Sequence, residues 1–201
     1  MFGPEVPYLS AIGVLMYLAN STRSDIVFSI NLLARYSFAP TRRQCNRIKH
    51  ILRYICEISD MGLYYSKESK SQLIGYANTG YLSYTHKAQS QTGYVFTYGG
   101  TTIYWRSVKQ TMVATSSNYS ESLIIHEASR ECVWLRLMIQ HIQKTCGLPY
   151  IKGNATKFYE NNTACIAQIK WGFIKGEKSI LLYSWTPRER WDRCSIDSVM
   201  Q

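Results

Sequence analysis

The fold is decided by residues 73–127, which read LIGYANTGYLSYTHKAQSQTGYVFTYGGTTIYWRSVKQTMVATSSNYSESLIIHE. Two strand-like runs, Thr92–Tyr98 and Thr101–Arg106, flank two glycines at positions 99 and 100. Such a turn is typical of a β-hairpin, because both of its central residues need φ > 0. Further strands are predicted on either side, at Gln72–Ala77 and Gln110–Thr115. Capping residues at 116–118 then start a helix with Glu121 in its first turns.

The chain after this stretch alternates between helix and strand. The apolar spacing predicts a long helix from about Tyr119 to Gln143, which ends before the helix-stopping Gly147. A short strand follows at Thr156–Tyr159, and then a short helix at Thr163–Ile169. The whole pattern predicts a mixed α/β domain.

The chain before it is helical. Residues 8–57 predict three helices: Tyr8–Ala19, a second that starts at Ser24 and ends at Ala39-Pro40, and a third capped by Thr41. We therefore expect a small helical segment, residues 1–61, in front of the α/β domain.

Composition narrows the class of protein. The 201 residues are 46% hydrophobic, which is too apolar for a disordered chain, and carry a net charge of +10. A basic balance of this size points to a nucleic-acid partner, with a merely basic surface as the alternative. The six cysteines form no CxxC pair, so we expect free thiols and an intracellular protein, in the cytoplasm or nucleus. We predict neither a signal peptide nor a transmembrane segment.

The third helix concentrates this positive charge on one face. Its basic residues are the candidates for phosphate contact, together with a lysine in the loop between two of the predicted strands; the alternative is a solvated face without a ligand. The candidates are Arg42, Arg43, Arg47, Lys49, Arg53 and Lys87. We expect weak, non-specific binding to an RNA–DNA hybrid or a duplex, and the sequence does not indicate an oligomeric state.

Four ordered segments resemble one known family. GYANTGYLS, SQTGYVFTYGG, WRSVKQTMVATSSN and HEASRECVWLR are similar to the ribonuclease H domain of Ty1/copia-type retrotransposon polyproteins. The helical segment is similar to the connection that follows the reverse transcriptase in these polyproteins. The resemblance implies a ribonuclease H-like mixed sheet flanked by helices over residues 62–175, and Mg²⁺-dependent cleavage of RNA in RNA–DNA hybrids.

The resemblance also implies where the catalytic acids belong. The family's first metal-binding aspartate corresponds to Asn78, its helical glutamate to Glu121, and its next aspartate to Asn161. Asparagine offers one neutral oxygen and cannot bridge two divalent cations. Glu160 is a potential substitute, but a shift of one residue along a strand is expected to turn it to the opposite face. We expect Glu121 to hold metal weakly or not at all, and Mg²⁺ not to be bound.

The resemblance ends near Gly176, and residues 176–201 have no recognisable period. We expect the last strand and the last helix of the family's fold to be missing or replaced there. The expected function is that of a retrotransposon-derived ribonuclease H-like protein that is catalytically inactive. The alternatives are a non-catalytic module that binds nucleic acid or protein, and an effector-like protein.

Overall fold

The computed structural model describes residues 8–66, 72–84, 89–148, 155–171 and 180–184. The chain forms two compact units. Among the described residues, the first unit contains residues 8–64 and Arg106–Val108, and the second contains Tyr65–Trp105 and the residues from Lys109 onwards. The first unit is helical and the second is built on a β-sheet. Lys87 lies outside the described residues.

The helical unit contains the three helices that the sequence predicts. They are α1 (Tyr8–Ser21), α2 (Val27–Ala34) and α3 (Arg42–Glu57), with a short 3₁₀ helix at Ser24–Ile26. A capping box fixes the start of α3, because the side chains of Thr41 and Gln44 each bond the other's backbone N–H. Helix α2 ends earlier than predicted, at Ala34, because the chain tightens there into successive turns.

The second unit is a five-stranded mixed sheet in the order β3-β2-β1-β4-β5. Its strands are β1 (Leu73–Tyr84), β2 (Gln89–Tyr98), β3 (Thr101–Lys109), β4 (Thr156–Glu160) and β5 (Ile180–Ser184). Strand β1 is antiparallel to β2 and parallel to β4, which is parallel to β5. The hairpin between β2 and β3 is confirmed, since its two glycines have φ of 61° and 85°. This ribonuclease H-like α/β fold is the predicted fold class.

Two helices complete this unit: α4 (Ser117–Thr145) and α5 (Thr163–Lys170). The buried face of α4 forms the core with one row of sheet residues, among them Phe96 and Phe158, which are fully buried. Gly75 of β1 lies directly beneath these two rings. A Cβ atom there would come within 2.5 Å of Phe158 and 2.8 Å of Phe96, so the aromatic core needs glycine at this position.

One sequence prediction about the sheet is wrong. Residues 110–115 do not form a strand, since β3 ends at Lys109. The Gln110 N–H donates one more hydrogen bond to the Ser90 carbonyl of β2 at 2.9 Å, and the Gln110 side chain bonds Ser120. Where we expected the family's last strand to be missing or replaced, the structure has the strand β5, which pairs with all five residues of β4. The sheet therefore extends beyond the expected limit at residue 175, whereas the expected last helix falls on residues outside those described.

Across the described residues, no helix is long and apolar enough to cross a membrane. The cysteines within this part of the chain are free thiols: Cys45, Cys56, Cys132, Cys146 and Cys165.

Candidate functional site

The candidate site lies where β1, β4 and the start of α4 meet. The Ser116 side chain caps α4 by accepting a hydrogen bond from the Tyr119 N–H at 3.1 Å. One turn later the buried Ser120 hydroxyl lies 2.8 Å from the hydroxyl of Thr79 on β1. This contact fixes the first turns of the helix against the strand that carries Asn78.

Ser120 is also bound from a second side. Its hydroxyl donates to Gln110 Oε1 at 3.0 Å, and Gln110 Nε2 donates to the Ser120 carbonyl at 3.0 Å. The sequence alone did not predict this network. The one sequence feature that points to it is Thr79, a hydroxyl residue on the face of β1 that alternation predicts to be buried. Residues 73, 75, 77 and 79 are all buried in the structure.

Asn78, in the middle of β1, meets Asn161, which directly follows the end of β4. Asn161 Nδ2 donates to Asn78 Oδ1 at 3.3 Å, across 83 residues of sequence. Asn78 belongs to the half-buried row of β1, and Asn161 follows the last residue of β4. The next residue, Asn162, caps α5 by accepting a hydrogen bond from the Cys165 N–H at 3.0 Å. An exposed pair of neutral amides thus lies where the end of β4 meets the middle of β1.

Glu160 lies on the other side of the strand end, and it is fully buried. Its Oε1 atom accepts hydrogen bonds from the backbone N–H groups of Asn161 at 2.8 Å and Asn162 at 3.3 Å. Glu160 belongs to the buried row of β4, with Thr156 and Phe158.

Glu121 and Glu160 together form a buried acid pair. Burial, reinforced by the charge of Glu160, raises the pKa of Glu121 to about 9. Burial also raises the pKa of Glu160 to about 7, although the N–H groups of Asn162 and Asn161 lower it. Among the described residues, no other group donates a hydrogen bond to the Oε2 atom of either acid. Burial therefore favours the protonated form of both carboxyl groups over the doubly charged pair.

We expected the one-residue shift between Glu160 and Asn161 to turn Glu160 to the opposite face. In the structure this shift places Glu160 in the buried row of β4, where its carboxyl group interacts with that of Glu121. The predicted site residues are thus brought together as two pairs, the buried acid pair and the exposed amide pair.

Comparison with known proteins gives several relatives. The secreted RxLR effector protein 161 of Plasmopara viticola is 35% identical over 131 residues, which cover 65% of this chain and 92% of that protein. The retrovirus-related Pol polyprotein from transposon TNT 1-94 of Nicotiana tabacum is 33% identical over 138 residues, or 69% of this chain. The transposon Ty1-LR3 Gag-Pol polyprotein of Saccharomyces cerevisiae is 26% identical over 149 residues, or 72% of this chain. Over most of its length, this chain is homologous to retrotransposon polyproteins of the copia and Ty1 type.

The copia-type polyproteins are far longer than this chain. The matching region spans 10% of the tobacco polyprotein and 8% of the yeast polyprotein. No protein-family model matches the chain. The similarity to these polyproteins therefore indicates the ancestry of the chain, whereas any activity depends on the residues at the site.

The donor set of this copia-type site does not fit a Mg²⁺ centre. Mg²⁺ prefers carboxylate oxygens in near-octahedral geometry, and a two-metal site needs acids that bridge both ions. Here the exposed side chains are amides, and the two acids are buried against each other. Among the described residues, no cluster of three or more His, Cys, Asp or Glu side chains is arranged to hold a metal ion.

The predicted nucleic-acid contacts lie on α3, in the helical unit. All five of its basic residues are exposed, which leaves them accessible to a ligand: Arg42, Arg43, Arg47, Lys49 and Arg53. The sixth candidate, Lys87, is the one outside the described residues.

Proposed function

We propose that this chain is a retrotransposon-derived ribonuclease H-like protein that no longer cleaves RNA in RNA–DNA hybrids. The observation that carries the proposal is the hydrogen bond between the side chains of Asn161 and Asn78. In the copia-type elements that the sequence resembles, aspartates belong at these two positions.

The amide pair changes the capacity of this position to bind divalent cations. Two carboxylates placed there would attract divalent cations through their negative charge. Two neutral amides supply no such charge, and at 3.3 Å one of the two carbonyl oxygens already accepts a hydrogen bond from the other side chain. Without a pair of metal ions, nothing in this arrangement clamps the attacking and leaving oxygens of a phosphodiester.

The remaining acids support the same proposal through their geometry. Glu160 has no exposed surface, and both backbone donors of the following turn bind its Oε1 atom. Glu121 is 6% exposed. A hydrated metal ion would have to enter the core between α4 and β4 to reach these carboxyl groups, at a large cost in desolvation.

An RNA–DNA hybrid cleavage assay tests the proposal. The full chain, with Mg²⁺ or with Mn²⁺, is expected to cleave a labelled hybrid no faster than the buffer does. Glu121→Gln serves as the matched control, because it keeps the volume of the side chain and removes the carboxyl group that could ionise and bind metal. Cleavage by the wild-type chain that Glu121→Gln abolishes would overturn the proposal, whereas cleavage that survives in the variant reveals a contaminating nuclease.

A second candidate function is that of an effector-like protein, and the match to the Plasmopara viticola protein favours it. That protein is called a secreted effector, and the matching region covers 92% of it. Under the first proposal the chain acts inside the cell, in keeping with its free thiols. Immunoblots of medium and cell extract separate the two, since a secreted effector accumulates in the medium without release of a cytosolic marker.

A further inference from the structure

Helix α1 is apolar on its solvent side as well as on its core side. The core side consists of Ile12, Leu15 and Ala19, which are buried in the helical unit. At 100° per residue, Val14 and Tyr17 project from the opposite side, where they are 69% and 76% exposed. A surface helix ordinarily carries polar and charged residues on that side. Helix α1 therefore has a second apolar side, which the described part of the chain leaves uncovered.

The charge of the protein makes this side unusual. No charged residue occurs in α1, whose sequence is YLSAIGVLMYLANS. The chain as a whole carries a net charge of +10, and the exposed surface of α3, in the same unit, is strongly basic. Two copies of such a protein repel each other at most surfaces. A contact through α1 places no charge inside the interface, so it avoids the cost of bringing like charges together out of water.

The residues on the solvent side of α1 are spaced symmetrically along the helix. Ser10, Val14, Tyr17 and Ser21 are all exposed, and they follow one another at intervals of four, three and four residues. Alternating intervals of three and four residues are those of a coiled-coil seam. When two such helices pack antiparallel about a two-fold axis, Val14 of one copy shares a layer with Tyr17 of the other, and Ser10 shares one with Ser21. The stripe is thus complementary to itself, as a symmetric two-fold interface requires.

We propose that the solvent side of α1 is the contact of a symmetric homodimer, in which two α1 helices pack antiparallel. The size of the contact sets its strength. Helix α1 has 14 residues and is about 21 Å long, and its most exposed aromatic side chain, Tyr17, offers on the order of 150 Å². One pair of helices of this length falls short of the roughly 800 Å² per partner of a standard stable interface. The dimer is therefore weak, with a Kd on the order of 10–100 μM.

Other occupants fit this side less well. A helix that lies in a lipid surface carries Lys and Arg residues on its polar side, and α1 has neither. A charged segment of another protein gains no ion pair on α1, because the helix offers no charge of either sign. A second copy needs only the apolar contact and the symmetric spacing that α1 provides.

Sedimentation velocity with the full chain tests the proposal. Between about 5 and 300 μM, a range that spans the expected Kd, the average mass should rise from that of one chain, 23.2 kDa, towards twice this value. Raising the salt concentration from about 50 to 500 mM should increase the dimer fraction, because salt screens the repulsion between the two positive copies and leaves the apolar contact intact.

Charged substitutions in the seam identify the surface. Val14→Glu/Tyr17→Glu places like charges in the same layers and should keep the chain monomeric over the whole concentration range. The matched control is Phe38→Glu/Met61→Glu, which adds the same charge at two exposed apolar positions of the helical unit and should dimerise as the wild type does. Circular dichroism checks that all variants are folded.

A complementary pair of variants identifies the occupant as a second copy. Val14→Lys/Tyr17→Lys should also be monomeric by itself. An equimolar mixture of this variant with Val14→Glu/Tyr17→Glu should form a heterodimer, because each layer then contains one Glu and one Lys.

Three results would overturn the proposal: a wild-type chain that stays monomeric at about 300 μM, a control variant that loses the dimer together with the Glu variant, or a mixture that forms no heterodimer. Binding of the wild type to phosphatidylcholine–phosphatidylserine vesicles without self-association would overturn it too, and would identify a lipid surface as the occupant. Helix α1 and the candidate functional site belong to different units, so neither this test nor the cleavage assay decides the other.

Discussion

Replacing both Asn78 and Asn161 with aspartate should turn a favourable contact into a repulsive one. In Asn78→Asp/Asn161→Asp, two carboxylates would lie at about the 3.3 Å that now separates Asn161 Nδ2 from Asn78 Oδ1. Coulomb's law gives a repulsion of about 1 kcal/mol at this distance in water and about 5 kcal/mol at an effective dielectric constant of 20. The pair is exposed, so the lower figure applies. We expect the double variant to be about 1–2 kcal/mol less stable than the two single variants predict by addition.

Urea unfolding of the wild type, both single variants and the double variant measures this coupling, and Mn²⁺ tests its cause. A cation between the two carboxylates should stabilise the double variant by about 3 kcal/mol at about 100 times its Kd. The single variants, with one carboxylate each, should gain much less. Additive stabilities in the absence of metal, together with no effect of Mn²⁺, would show that the two side chains do not converge. That result would remove the main support for the proposed function.

Three further perturbations probe the surroundings of the site. Gly75→Ala should destabilise the protein by about 1–3 kcal/mol in a thermal melt, because its Cβ would overlap Phe158. Gly13→Ala is the control: its Cβ would meet nothing within 4 Å, so it should be neutral or stabilising. Equal destabilisation by the two variants would contradict the packing argument. The buried acid pair binds protons more tightly when folded, so its contribution is present at low pH and is lost as pH rises from about 4.5 towards 7 and above. The free energy of unfolding should therefore fall by about 1–3 kcal/mol per pH unit between pH 5 and pH 7, and Glu160→Gln should flatten this dependence. An unchanged slope would refute the raised pKa values of the pair. Ser120→Ala should lower the free energy of unfolding in urea by about 1–3 kcal/mol, because the Gln110 side chain loses a buried hydrogen-bond donor. A change below about 0.5 kcal/mol would count against the network.

The sequence predicts local elements well, because their signals are local. The capping residue Thr41, the glycine pair at 99 and 100, and the apolar period of α4 each act within a few neighbouring residues. The strand that the composition predicts at residues 110–115 does not form, and the Gln110 side chain lies in a buried hydrogen-bond network with Ser120. The sequence-based prediction also missed β5, because a parallel strand of five residues has no alternation to reveal it.

By itself the sequence determined the family resemblance, the absence of aspartate at positions 78 and 161, and the basic character of α3. Only the tertiary structure decided how the site residues combine. The contact between Asn78 and Asn161 spans 83 residues and depends on the parallel register of β1 and β4, which no local pattern encodes. The pairing of Glu160 with Glu121 depends on the row of β4 that packs against α4, and their raised pKa values depend on the burial that this packing creates. The sequence determines the chemistry of each side chain, but the packing of the helix on the sheet determines which side chains are close together and buried.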